Sequence, residues 1–315
     1  MKKVLVIGGA GYIGGITTDK LLDNGYDVTV FDNLIYESRF LKSCNFIFGD
    51  IRDTDSLIKI AKKFDEIVWL AAIVGDGACS QSPELTIEIN FNAIKQFMIN
   101  SKRRIIYTST CSVYGAQKGL LNEESAVNPL SLYASTKLQA EEYVLANNGI
   151  VFRLGTLYGL GDKFSRTRLD LVVNVLTLKA VTQNRLTIYG GEQWRPLLSV
   201  SDVASYIVEA VSNNLAGIYV LKYKNLTVHS IASRIKRIFP KVKIDKTELP
   251  FEDLRNYKVD TTKAEKEFQY RPSSTIKKEV LKMKKLFLER RLKNTNDDIY
   301  YNTKHIENII NGVDF

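Results

Sequence analysis

Tyr133 and Lys137 are four residues apart, so on the helix predicted over 133–147 they share one face. A phenol beside an ammonium is a proton-transfer pair. The positive charge favours the phenolate, and the spacing predicts a Tyr133 pKa below the usual value of about 10. Thr110 closes the strand predicted over 104–108 and leads into Cys111-Ser112-Val113-Tyr114-Gly115. Its hydroxyl can bond the same substrate oxygen as Tyr133. Such a trio suits removal of a proton from an alcohol while hydride leaves the adjoining carbon. The spacing Tyr-x-x-x-Lys recurs on many helices, so its meaning depends on what the rest of the chain places beside it.

A second motif lies at the start. Gly8-Gly9-Ala10-Gly11-Tyr12-Ile13-Gly14 stands between the β-branched run 3–7 and a helical stripe carrying Ile13, Ile16 and Leu21. Strand before and helix after are the context a dinucleotide-binding turn requires. Glycines let the backbone turn tightly, and the helix N-terminus offers free N–H groups to a pyrophosphate. Asp32 ends the next predicted strand, where an acid accepts from the adenosine ribose hydroxyls and repels a 2′-phosphate. The nearest basic residue downstream is Arg39, so NAD is expected rather than NADP. Asn33 adjoins Asp32. Asp50 and Ile51 are expected to bracket the adenine. Asp53 is the better helix cap, which leaves Asp50 free to accept from the adenine amino group.

The elements that must hold these groups form a repeating pattern. Strands are predicted at 3–7, 27–31, 44–48, 67–70, 104–108 and 150–154, with helices at 12–24, 53–63, 83–100 and 133–147 between them. Unbroken apolar strands alternating with helices predict an α/β protein with a doubly wound parallel sheet. Beyond 154 the pattern loosens. Helices are expected at 170–181, 203–211, 227–239 and 276–292, and short strands at 186–188 and 218–220. The segment 294–315 either docks as a tail or stays mobile.

Composition narrows the classes further. The chain has 315 residues, with apolar residues 45% and charged residues 25%, so low-complexity and fibrous classes are excluded. No apolar run approaches the ~20 residues of a membrane span, and the first one is too short for a signal peptide, so a cytoplasmic protein with no membrane partner is expected. Cys44, Cys79 and Cys111 lack metal-ligand spacing and suit a reducing compartment, and only His229 and His305 are present, so no metal site is expected. Net charge is −2 over 1–150 and +11 over 151–315. Eight Lys and Arg fall within 222–246 against Asp245 alone. That cluster is either a solvated surface or a site for an anionic partner. It lacks aromatics at stacking spacing, so nucleic acid is not the expected partner.

Taken together, the glycine turn, Asp32-Asn33, Asp50-Ile51, Leu70-Ala71-Ala72, Asn90, Ser109-Thr110, Tyr114-Gly115 and Tyr133/Lys137 resemble the extended short-chain dehydrogenase/reductase family in order and over nearly the whole chain. The resemblance implies a Rossmann domain over 1–160, joined by about 195–221. It also implies a smaller C-terminal cap from 161–194 and 222–315, with the substrate held between them. Tyr133 would be the general acid/base, with Thr110 as its partner. Lys137 would hold the nicotinamide ribose, and Leu70, Ala71, Ala72 and Asn90 would line the nicotinamide side. The cofactor would be NAD and the substrate a nucleotide-diphosphate sugar. Arg195 would clamp the diphosphate, for which a guanidinium fork is well shaped. Thr156 stands where the family often has Asn. Arg166, Arg168 and Leu171 precede a helix whose N-terminus can meet phosphate or sugar. Arg255 lies in the segment 253–257, which resembles a later substrate-side motif. Each of these three arginines is alternatively a structural or surface ion-pair partner.

The expected reaction is oxidoreduction at sugar C4, first as an epimerase. The alternatives are a one-way 4-dehydrogenase or 4-keto reductase, including one for deoxy- or heptose nucleotide sugars, then a 4,6-dehydratase. The dehydratase branch carries Asp-Glu where this chain has Cys111-Ser112, and Cys111 is read as a packing residue. Asp76 either reaches the substrate mouth or turns its loop. A reading from another class is a dinucleotide sensor or RNA-binding relative without catalysis. Family analogy also implies a homodimer through helices 83–100 and 133–147.

Overall fold

The computed structural model describes residues 1–37, 39–162, 166–247, 255–292 and 294–312. The first half alternates as β1 (Lys3–Ile7), α1 (Tyr12–Asp23), β2 (Asp27–Asp32), β3 (Asn45–Phe48), α2 (Thr54–Ala61) and β4 (Glu66–Trp69). Next come α3 (Asp76–Gln81), α4 (Pro83–Ile87), a π-turn (Glu88–Asn92), α5 (Ala93–Ser101), β5 (Ile106–Thr110), β6 (Ala116–Leu121), α6 (Leu132–Leu145) and β7 (Ile150–Leu154). The second half runs β8 (Thr156–Tyr158), α7 (Val172–Thr182), β9 (Arg185–Tyr189), β10 (Trp194–Ser199), α8 (Val200–Ser212), β11 (Gly217–Leu221) and β12 (Lys224–Thr227). It closes with α9 (Val228–Ile238), β13 (Lys243–Thr247), β14 (Asn256–Val259), α10 (Thr262–Glu267), α11 (Ile276–Leu288) and α12 (Asn302–Ile310).

Seven strands form one parallel sheet in the order β11-β7-β5-β4-β1-β2-β3. Val4 to Ile7, Ile67 to Trp69 and Ile150 to Phe152 are buried, as strands covered on both faces require. This is the doubly wound, Rossmann-like arrangement expected. The order reverses between β1 and β4. Ligands of such sheets sit beyond the strands' C-terminal ends at that reversal, where both the glycine turn after β1 and the loop after β4 emerge.

Three small sheets build the rest: β12-β10-β8, β13-β9 and β14-β6. Apolar residues of the first two join α7, α9 and α11 in a separate core containing Leu176, Ile188, Ile235 and Met283, while Leu121, Tyr257 and Val259 of β14-β6 pack with Val113 and Tyr114. The helix expected at 83–100 is interrupted by the π-turn, and the fifth strand begins at Ile106, not at 104. The segment after 294 docks: Ile306 of α12 is buried in the same core as Leu57 and Trp69. Among the described residues no helix is long and apolar enough to cross a membrane.

Candidate active site

The glycine turn has two kinds of glycine. A Cβ on Gly8 would lie 2.4 Å from Ala71 N, and one on Gly14 would lie 2.2 Å from Gly8 O. Both contacts are with backbone, so these positions must be glycine for the strand-turn-helix to close. A Cβ on Gly11 would meet only Gly8 O, at 3.5 Å. Gly11 lines a cavity of about 950 Å³ and caps α1 with no side chain. The N–H groups of Tyr12, Ile13 and Gly14 precede the first intrahelical bond, from Gly15 N–H to Gly11 C=O (2.8 Å). They form a cradle that a side chain at position 11 would fill. The Tyr12 phenol itself donates to Gly159 O (2.5 Å), so what this residue offers the cavity is its backbone N–H.

Asp32 accepts from Ala10 N–H (3.0 Å) and Leu34 N–H (2.8 Å), which ties the end of β2 to the glycine turn. Burial raises its pKa, against which these backbone donors act. Asn33 accepts from Ile35 N–H (3.2 Å), and Ile51 lies on the cavity wall beside Gly49. Asp53 caps α2 through Ser56 N–H as expected. Asp50 is not free, however. Arg52 donates to both its oxygens (2.6–3.1 Å) and holds its carboxyl below the ordinary range. An unpaired edge was expected there; Asp50 lines the cavity, but with the guanidinium two residues on already bound to it.

At the other end of the same cavity stand Thr110, Tyr133 and Lys137. Ser131 caps α6 by accepting from Ala134 N–H (3.2 Å) and donates to Asp76 (2.6 Å), fixing the turn that presents Tyr133. Thr110 accepts from Ser112 N–H (3.1 Å) and donates to Ser112 Oγ (3.0 Å). Lys137 Nζ sits 4.2 Å from the centre of the Tyr107 ring, and burial pushes its pKa down to about 7. Burial raises the Tyr133 pKa; Arg168 and Arg255 act in the opposite direction. The expected fall is therefore not found. Desolvation of the phenolate is the largest effect on this group, and Cys79 and Asp76 act in the same direction.

Leu70, Ala71 and Ala72 line the cavity, the first two donating their N–H groups to Ile7 O (2.8 and 3.0 Å). Asn90 does not line it. Its amide accepts from Ile73 N–H (2.8 Å) and donates to Ile73 O (2.9 Å), so it braces the loop after β4 from the π-turn behind. Cys111 is fully buried with its thiol on Arg153 O (3.3 Å), a packing residue. Asp76 reaches the cavity, 3.6 Å from Arg255, whose guanidinium also donates to Ser112 Oγ (3.0 Å).

Thr156 and Leu171 line the cavity, and Leu171 precedes an α7 N-terminus with no side-chain cap. Arg195 lines it too and donates to the carbonyls of Trp194 (2.9 Å) and Arg255. Arg168 is clamped on Asp170 (2.9 and 3.0 Å). Arg166 faces the cavity wall, but its terminal nitrogens donate to Ile299 O (2.7 Å) and Asn302 Oδ1 (2.5 Å), so it knits the C-terminal segment to the fold. Asp253 and Leu254 of the 253–257 motif lie outside the described residues.

The sequence reading left the tail open between docking and mobility and placed none of its residues at the cavity. Asn302 donates to Val74 O (2.8 Å), His305 meets Ile35 O (2.6 Å), and Asn302 and Thr303 line the cavity. The spacing of Asn302, His305, Ile306 and Ile309 was the available signal: a one-sided helix in an otherwise polar stretch. Glu37 was missed as well. It accepts from Arg166 N–H (2.7 Å), and burial pushes its pKa up to about 7.

The residues therefore fit a dinucleotide at one end of the cavity and proton chemistry at the other. Comparison with known proteins agrees. The NAD dependent epimerase/dehydratase family pattern matches residues 4–221. A Methanocaldococcus jannaschii protein provisionally named a UDP-glucose 4-epimerase is 30% identical over 217 residues, 64% of this chain and 70% of that one. The UDP-glucuronic acid decarboxylase 1 of Xenopus tropicalis is 26% identical over 68% of this chain and 55% of its own. The solved UDP-glucuronic acid 4-epimerase from Bacillus cereus superposes with a TM-score of 0.77 at 25% identity, covering 91% of this chain and 99% of that one.

Proposed function

The chain belongs to the NAD dependent epimerase/dehydratase family, and from that premise we propose that it epimerises a nucleotide-diphosphate sugar at C4. The observation that carries this reading is the single cavity shared by the capless α1 N-terminus and the Thr110/Tyr133/Lys137 group. When bound, NAD supplies reversible hydride acceptance at the sugar carbon. The N–H groups of Tyr12, Ile13 and Gly14 hold its pyrophosphate, and Asp32 accepts from the adenosine ribose. Lys137, held over Tyr107, donates to the nicotinamide ribose. In its phenolate form Tyr133 takes the C4 hydroxyl proton at its phenolic oxygen and later gives that proton back, while Thr110 orients the hydroxyl. Arg195 and the open α7 N-terminus receive the diphosphate.

Cys111 and Ser112 support an epimerase over a 4,6-dehydratase. The first is buried away from the cavity and the second is engaged by Thr110 and Arg255, so neither supplies the carboxyl pair that elimination needs. The reading carries with it a cofactor-binding part (1–160 with 195–221), a cap from the remainder, a cytoplasmic setting and a homodimer.

The test is product analysis by NMR with UDP-, GDP-, CDP- and dTDP-sugars, each offered as both C4 epimers. An epimerase brings both starting points to one mixture with no net NADH. Accumulation of NADH with a keto sugar, or loss of water, would replace this reading with a one-way or eliminating enzyme.

A further inference from the structure

The proposed reaction leaves one surface unused. Helix α11 buries Ile276, Val280, Met283 and Phe287 in the cap core. At 3.6 residues per turn, Leu281 and Leu288 are two turns apart on one outward line. They are 44% and 62% exposed. Lys277 and Lys284 flank that line on one side, and Lys278 and Lys285 on the other. Lys284 also lies 4.8 Å from the Phe239 ring, just beyond α9. That contact sets the basic end of α9, with exposed Lys236 and Arg237, beside the lysines of α11.

Positive charge alone suits any polyanion. The exposed leucines discriminate. A bilayer interface admits leucine side chains while lysine head groups meet lipid phosphates. A nucleic acid offers no such apolar layer, and the outward side of α11 carries no aromatic residue on which bases could stack. We propose that this face of α11, extended by the end of α9, docks the protein on an anionic lipid surface. The contact is peripheral and reversible, because two leucines and a polybasic patch bind by mass and charge together without insertion of a span. The sequence reading found no spanning segment and so expected no membrane partner; a one-sided helix was not weighed. The proposal is independent of the reaction above.

The experiment is flotation of the full chain with vesicles of phosphatidylcholine, alone or with roughly a third phosphatidylglycerol. Binding is expected only to the anionic vesicles, and it is lost in about 1 M salt, where the Debye length is about 3 Å. Leu281→Ser with Leu288→Ser should lower the partition coefficient about tenfold while all lysines remain. Lys278→Glu with Lys285→Glu should abolish binding. All four sites are exposed, so unchanged thermal melting confirms that the variants fold. Equal binding to neutral vesicles, no flotation with anionic ones, or leucine variants that bind as the parent does would each overturn the proposal. So would tight binding of a single-stranded RNA by a protein that ignores vesicles.

Discussion

Lys137 is the residue with the most consequential environment. Burial holds its pKa near 7, against about 10.5 in an unfolded chain. Between those values the unfolded state binds a proton that the folded state does not, so stability falls as pH drops from about 10.5 toward 7 and rises in the other direction. Lys137→Met removes both the penalty and the ribose donor. Its melting temperature at pH 7 should exceed the parent's by a few degrees, with turnover lost. A variant that melts lower would place the ammonium among the stabilising groups instead. The residue scale is also where the sequence was least readable. Tyr133, Lys137, Thr110 and Asp32 were singled out from type and spacing, and all four line one cavity. Their pKa directions and the engagement of Asp50 by Arg52 depend on burial and on a neighbour's rotamer, which spacing does not encode.

Elements explain why some glycines tolerate change and others do not. Gly14→Ala puts a Cβ 2.2 Å from the Gly8 carbonyl and should break the packing of α1 on β1, read as a large fall in melting temperature. Gly11→Ala meets only one atom, at 3.5 Å, so the fold should survive. NAD affinity should instead fall at least about tenfold, because the methyl occupies the cradle. The strands β1, β2, β4 and β7 were legible as continuous apolar runs. The π-turn was not, because Glu88–Asn92 keeps helical periodicity while shifting Asn90 onto Ile73. The spacing in α12 marks a one-sided helix, but not that its buried side packs into the main core beside Leu57 and Trp69. Ile306→Ala should cost about 2–5 kcal/mol, measured by denaturant unfolding. NAD should also bind more weakly, because α12 carries Asn302 and Thr303 on the cavity wall.

Across the whole molecule, charge and chemistry are separated. The near-neutral first half supplies five of the sheet's seven strands, the glycine turn and the proton-transfer group. The basic second half closes the cavity with arginines and turns lysines outward on α9 and α11. The small sheets β12-β10-β8 and β14-β6 escaped the sequence reading because their strands are short and joined by distant register, whereas the large sheet announced itself by repetition. The account rests on Tyr133 as the group that exchanges a proton with the sugar. The direct measurement is turnover of the best nucleotide sugar by the parent and by Tyr133→Phe, with NAD affinity measured on both. The account predicts a loss in kcat of about 10²–10⁴-fold with NAD affinity unchanged. Turnover by the phenylalanine variant at the parent's rate would contradict it.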